Sequence, residues 1–217
     1  MRPLKDWGTY EARNWKGLAL WAVRRRDGTG GAFVQVFDYA RAQASTVYAL
    51  LFVCGVETVG MFFVTAALPV LHGVVLALDV YTVLLVLGAH AGCVARPHTV
   101  GPDGLRIRHG ALLDVRIPAH LIASARRELR FPGGGGSPEG VLDVPVASQT
   151  SLTVELTEPV VVARLFGRSE EVRTVRCHAE DAYGAVAAIR ALIPAQGRGQ
   201  TVTPGRTTPC RGPGPPR

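Results

Sequence analysis

The stretch VYALLFVCGVETVGMFFVTAALPVLHGVVLALDVYTVLLVLGAHAGCV, Val47 to Val94, decides the class of this protein. It divides into two apolar runs, Val47–Leu68 and Val70–Val94, joined only by Leu68-Pro69-Val70. A helix rises ~1.5 Å per residue, so ~20 residues cover the ~30 Å hydrocarbon core of a bilayer, and each run is long enough to cross it. Pro69 stands where the first helix must stop, and the joint is too short for an external domain. The expected element is a transmembrane helical hairpin, residues 45–95. No Lys or Arg occurs between Arg41 and Arg96, a gap that suits a membrane segment. The alternative, a buried soluble core, would require two adjacent helices apolar on every face.

Each run carries one acid near its middle. Glu57 lies 12 positions before Pro69 and Asp79 lies 10 after it. Counted from the turn they sit ~18 and ~15 Å deep, at a similar level. A charged acid there costs at least ~2.5 kcal/mol, so both are expected to face protein, water or each other. Two acids at one depth favour a shared proton. His72, Asp79 and His90 fall within ~20° of one line on the second helix. Two readings of this polar line stay open: interhelical hydrogen bonds that hold the hairpin or an oligomer together, or a proton or ion path built by several protomers. The spacing is too long for one metal site, and no metal or cofactor is expected.

The net charge of +7 is unevenly spread. Residues 1–44 carry the Arg24-Arg25-Arg26 run and all three tryptophans, Trp7, Trp15 and Trp21. This pattern predicts an interfacial helix, with rings at headgroup level and charges toward water; a plain amphipathic cytosolic helix fits it too. Basic residues flank both outer ends of the hairpin, which places both termini in the cytoplasm and the chain, multi-pass, in the plasma membrane. Arg24, Arg25 and Arg26 are candidate contacts for anionic lipid headgroups. No recognition motif accompanies the charge, so nucleic acid is not an expected partner. Cys54, Cys93, Cys177 and Cys210 are scattered, without metal-ligand spacing, and read as reduced and structural.

From Arg96 the apolar period changes to two. Strands are expected at Leu105–Arg108, Leu112–Ile117, Leu121–Leu129, Val141–Ala147, Ser151–Leu156, Val160–Phe166 and Glu171–Cys177, followed by a helix over Ala179–Leu192. Gly133–Gly136 reads as a loop without the Gly-Lys-Ser/Thr ending of a phosphate-binding loop. Residues 96–194 therefore form an α+β module of short antiparallel strands closed by one helix. Residues 195–217, rich in Pro, Gly, Thr and Arg, have too little aliphatic content for a core and read as a disordered basic tail.

Several of these residues carry a resemblance. Arg96-Pro97-His98 leaves a membrane helix. Asp103-Gly104-Leu105-Arg106-Ile107-Arg108-His109-Gly110 follows, then Val115-Arg116-Ile117-Pro118 before Leu121-Ile122. This resembles the bacterial PH-like domains of small actinobacterial-type integral membrane proteins, in which a helical hairpin precedes the domain. Pro159–Gly167, Val172–His178 and the terminal helix are similar to the closing half of that family. The resemblance spans residues 45–193 and rests on strand and turn signals. It implies a bent antiparallel sheet or partial barrel plugged by the C-terminal helix, and no common catalytic site. Arg106, Arg108 and Arg116 would then form a small anion patch, although residues 96–194 contain no lysine.

No nucleophile is paired with a base at recognisable spacing, and Cys177 and His178, being adjacent on a strand, face opposite ways. The chain is therefore expected to be non-enzymatic: a membrane protein whose cytoplasmic domain mediates protein or lipid-surface contacts as a scaffold. Its expected partners are the bilayer and a second copy or another membrane protein. The alternative is an oligomeric proton- or ion-coupled protein that uses Glu57 and Asp79.

Overall fold

A computed structural model describes residues 2–28, 30, 33–132, 137–163, 165 and 169–193. The expected tail, the Gly133–Gly136 loop and Cys210 lie outside these residues, as does Phe166. Four helices are described: α1 (Arg2–Ala22), α2 (Ala44–Thr65), α3 (Pro69–Ala95) and α4 (Ala182–Leu192). Eight strands accompany them: β1 (Gln35–Phe37), β2 (His98–Gly101), β3 (Gly104–His109), β4 (Leu113–Pro118), β5 (Ile122–Arg130), β6 (Val141–Val144), β7 (Thr150–Val162) and β8 (Glu170–Cys177).

Both α2 and α3 are long and apolar enough to cross a membrane. Pro69 occupies the first turn of α3, where its missing N–H costs nothing. The two helices meet along regular seams. On α2 the less exposed residues are Val47, Leu51, Cys54, Thr58, Met61 and Thr65; on α3 they are His72, Val75, Asp79, Val83, Val86 and His90. Steps of three and four residues keep a seam on one side of each helix. Away from the seam the side chains are bare: Phe52 is 72% exposed, Val64 75% and Val70 83%. An apolar surface this continuous is covered by lipid or by another chain in any stable state.

The first helix packs on the opposite side of α3 and runs parallel to it: Glu11 meets Tyr81, Asn14 meets Leu85 and Gly17 meets Gly92, in ascending order. Asn14 Nδ2 donates to the Leu85 carbonyl at 3.2 Å. A Cβ on Gly17 would lie 2.7 Å from the Cα of Gly92, so the two backbones touch. Trp7, Trp15 and Trp21 remain exposed on the outer face of α1.

The β domain has two four-stranded sheets, ordered β1-β2-β3-β4 and β5-β7-β8-β6. Leu105 and Ile107 of β3 and Leu113, Val115 and Ile117 of β4 point into a core shared with Leu152 and Val154 of β7, Val172 and Val175 of β8, and Val186 and Ile189 of α4. The α4 helix starts at Ala182 rather than Ala179, because Asp181 accepts the Gly184 N–H and caps it.

Four expectations are corrected. The helix expected to lie in the membrane interface, α1, instead packs lengthwise along α3. Within residues 1–44, where no strand was expected, Gln35–Phe37 forms β1, which pairs with β2 through Val36 opposite Thr99. The strands expected at Ser151–Leu156 and Val160–Phe166 are one strand, β7, with a register irregularity between Glu155 and Val160 that absorbs Pro159. The sheet is mixed, since β6 runs parallel to β8 while the other pairings are antiparallel.

The Gly17–Gly92 contact leaves no room for a side chain. Gly17→Val is expected to undock α1 and cost about 1–3 kcal/mol. The check is limited trypsin digestion: cleavage after Arg13 should accelerate while the β domain stays intact.

Candidate functional site

The hairpin's polar residues separate into two groups. His72 Nδ1 lies 2.9 Å from the Thr65 hydroxyl, with Phe62 edge-on to its ring. Asp79 faces the same seam, among Thr58, Met61, Phe62, Thr65, His72, Val75 and Leu76. His90 is buried at the other end, edge-on to Tyr48. The line of His72, Asp79 and His90 is thus the face of α3 that meets α2. Glu57 is exposed and is not among the residues around Asp79. The two acids do not face each other within one protomer.

Where α3 ends, Arg96 joins three elements. Its Nη1 donates to the Gly110 carbonyl at 3.1 Å, and its Nη2 donates to the Arg13 carbonyl of α1 at 3.2 Å. Its Nε lies 3.7 Å from an Asp27 carboxylate oxygen that also meets Lys16 at 3.4 Å. The Asp27 N–H donates to the Ala95 carbonyl at 2.9 Å, and Arg13 donates to the Ala111 carbonyl at 3.1 Å. α3 therefore passes into β2 without a flexible linker.

The three arginines expected to form an anion patch are placed differently. Arg106 makes a two-bond pair with Asp114 at 2.7 and 2.5 Å. Burial works against the Asp114 carboxylate, but Arg106, with Arg108 and Arg116, outweighs it and holds the group below its usual range. Arg108 is 1% exposed and donates Nη1 to the Asp27 carbonyl at 2.8 Å. Its Nε and Nη2 have no hydrogen-bond partner among the described residues, so its compensation is the field of Asp114 and Asp27. Gly28, at φ +69°, lies over both guanidinium groups where a Cβ would crowd them. Only Arg116 is exposed. Two of the three hold the fold, and the open patch is not formed.

The other basic run is accessible. Arg24, Arg25 and Arg26 with Trp21, Val94 and Ala95 line a hollow of about 420 Å³. Trp21 also borders a second, of about 280 Å³, with Arg26, Arg41, Tyr48 and His90. Arg26 pairs with Asp38 at 3.0 Å and Arg41 with Glu180 at 3.5 Å, whereas Arg24 and Arg25 have no acidic partner among the described residues. Helix α1 ends here in a reversed turn: Arg25 N–H donates to the Leu20 carbonyl at 2.8 Å and Arg24 N–H to the Trp21 carbonyl at 3.0 Å. That turn puts Arg24 at φ 54°, a position glycine usually fills. The strain costs about 1 kcal/mol and sets the Arg24 side chain beside Trp21.

A third hollow, of about 310 Å³, lies between the β3–β4 turn and β6, lined mostly by Leu112, Leu113, Leu142, Val144 and Pro145. Asp143 and His109 border it, but no nucleophile does among the described residues. Cys177 is buried, its thiol pushed up to about 12, and the His178 carbonyl is engaged by His98. His98 Nε2 donates to that carbonyl at 3.1 Å while its Nδ1 accepts the Arg108 N–H at 3.1 Å. These bonds hold a neutral ring, and burial lowers its pKa to about 3.

Comparison with protein-family models, with curated proteins and with solved structures finds no match. The arrangement is that of a rigid joint between a hairpin and a β domain, with an open basic shelf at the joint. Asp27 and Arg96 escaped the sequence reading because their partners are remote in the chain.

Arg96→Met is expected to destabilise the joint by about 1–3 kcal/mol, since two carbonyls lose a charged donor while Asp27, partly exposed, keeps Lys16. Arg96→Lys should rescue little, because a single ammonium cannot span the three sites. Thermal unfolding in detergent checks both. The His98 pKa is depressed below the ordinary imidazole value of ~6.5, so the unfolded state binds the extra proton first. Stability present above pH ~6.5 should be lost progressively as pH falls toward about 3, by about 2 kcal/mol already at pH 5. His98→Gln should flatten that part of a denaturation series.

Proposed function

We propose that this chain is a non-catalytic membrane anchor and platform. The α2–α3 hairpin crosses the plasma membrane with both termini cytoplasmic. The β domain is a PH-like module held at the membrane surface, where it engages anionic lipid headgroups and serves as a scaffold for partner proteins. The observation that carries this reading is the linker-free joint at Arg96, which gives the β domain one orientation relative to the hairpin. A tethered enzyme or a freely swinging domain has no need of such a joint; a platform that presents a surface at a set height does.

Support for the PH-like assignment comes from the seven strands β2–β8 in two sheets, packed together and followed by α4. The parallel pairing of β6 with β8 and the added β1 depart from an all-antiparallel plan. Support for headgroup contact comes from Arg24 and Arg25, exposed beside Trp21 at the end of α3. Each such cation contributes about 1 kcal/mol at an anionic surface. The proton- or ion-coupled reading draws no support from a protomer with Asp79 turned inward and Glu57 outward.

The test is native mass spectrometry of protein released from nanodiscs of mixed phosphatidylserine and phosphatidylcholine. Wild type should retain phosphatidylserine selectively. Arg24→Gly with Arg25→Gln should lose that selectivity while Tm rises, because glycine relieves the left-handed strain by about 1 kcal/mol. Equal retention of both lipids by wild type would refute headgroup recognition.

A further inference from the structure

One acid of the hairpin, Glu57, lies outside the α2–α3 seam. Glu57 is exposed, has no hydrogen-bond or ion-pair partner among the described residues, and points away from the α2–α3 seam. At ~100° per residue it lies ~80° around α2 from that seam. Glu57 belongs to a second regular stripe: Val53, Glu57, Gly60 and Val64, in steps of four, three and four. Val53 is 57% exposed and Val64 75%. A Cβ on Gly60 would meet nothing within 4 Å. Leu50, the preceding member, borders a cavity facing Tyr10 of α1, so the open part of the stripe is the half of α2 away from α1.

Four-three-four spacing is what a helix presents to a partner crossing at ~20°, as α2 already does to α3 with its other side. A glycine one turn from the acid lets two backbones approach. The acid supplies the choice of occupant. In lipid a lone carboxylate is costly, and a carboxyl at this depth needs a donor or acceptor at the same depth. A second copy inserted with the same topology provides it by symmetry, because in a parallel pair each stripe residue meets its own counterpart.

We propose that the Val53–Glu57–Gly60–Val64 face of α2 is a two-fold interface between copies of this chain, with the paired Glu57 carboxyls sharing a proton. One protonated carboxyl donates its O–H to the other carboxylate, and no further ion is needed. Asp79 takes no part, since it lies within the α2–α3 seam of each protomer, away from this face. The inference rests on the hairpin crossing the membrane as proposed above.

The test uses the full chain in carbonate-washed membranes. Val53→Cys and Val64→Cys are each expected to give a disulfide-linked dimer with copper phenanthroline, above the wild-type background from the native cysteines. Phe63→Cys, on another face of α2, is expected to give none. In lipid nanodiscs, mass by light scattering should report a dimer for wild type, Glu57→Gln and Asp79→Asn. Glu57→Leu should weaken association about ten-fold, and Gly60→Leu should weaken it too. A chain removed by the carbonate wash would overturn the membrane reading and this inference together. A chain that stays in the membrane but forms no Val53→Cys or Val64→Cys dimer would overturn the interface alone. Dimerisation undisturbed by Glu57→Leu would overturn the role of the acid.

Discussion

The Arg96 guanidinium is the constraint on which the arrangement of this molecule depends. It sits at the last turn of α3, is 7% exposed, and reaches α1, the β3–β4 turn and the linker carboxylate of Asp27 together. A buried cation needs acceptors and opposite charge around it: Arg96 has two carbonyl acceptors, and the Asp27 carboxylate lies 3.7 Å from its Nε, which makes no hydrogen bond. That requirement ties the positions of three otherwise independent elements to one another. Arg108, on β3, meets the same corner by donating Nη1 to the Asp27 carbonyl, while its Nε and Nη2 make no hydrogen bond among the described residues. The Asp27-Gly28 corner is thus held by arginines from both the helical and the β side, and α1 is part of the joint.

Polarity in the hairpin follows a related logic. His72, Asp79 and His90 lie on the α2-facing side of α3: His72 meets the Thr65 hydroxyl and His90 the Tyr48 ring, while Asp79 keeps one buried carboxylate oxygen without a hydrogen bond among the described residues. Such groups confer register on two helices whose apolar surfaces would otherwise slide. Glu57 falls off that seam and breaks the pattern. One acid of the hairpin thus lies inside it and the other outside.

Much of the architecture was legible in residue order. The two apolar runs, the period-two strands from Leu105 to Ile117, and the terminal helix all declare themselves by local pattern, and each is observed. What was not legible depended on remote partners. The short strand Gln35–Phe37 has no periodicity of its own and exists because β2 offers it an edge. The parallel pairing of β6 follows from where the chain returns, not from its composition. In the candidate site, the Arg24–Arg26 run was legible as exposed charge. Arg106, Arg108 and Arg116 looked equivalent, and only the packing separates a paired, a buried and an exposed arginine.

By itself, then, the sequence determined which segments are apolar enough to leave water, which alternate, and where charge accumulates, because these properties are set by neighbouring side chains and helix or strand period. Only the tertiary structure decided that Glu57 and Asp79 part company, that α1 lies along α3 through bare glycine backbone, and that Asp27 sits beneath Arg96. Those facts are angles around helices and meetings between residues far apart in the chain. One turn of a helix about its axis changes which side chains a neighbour sees without changing a single letter of the sequence.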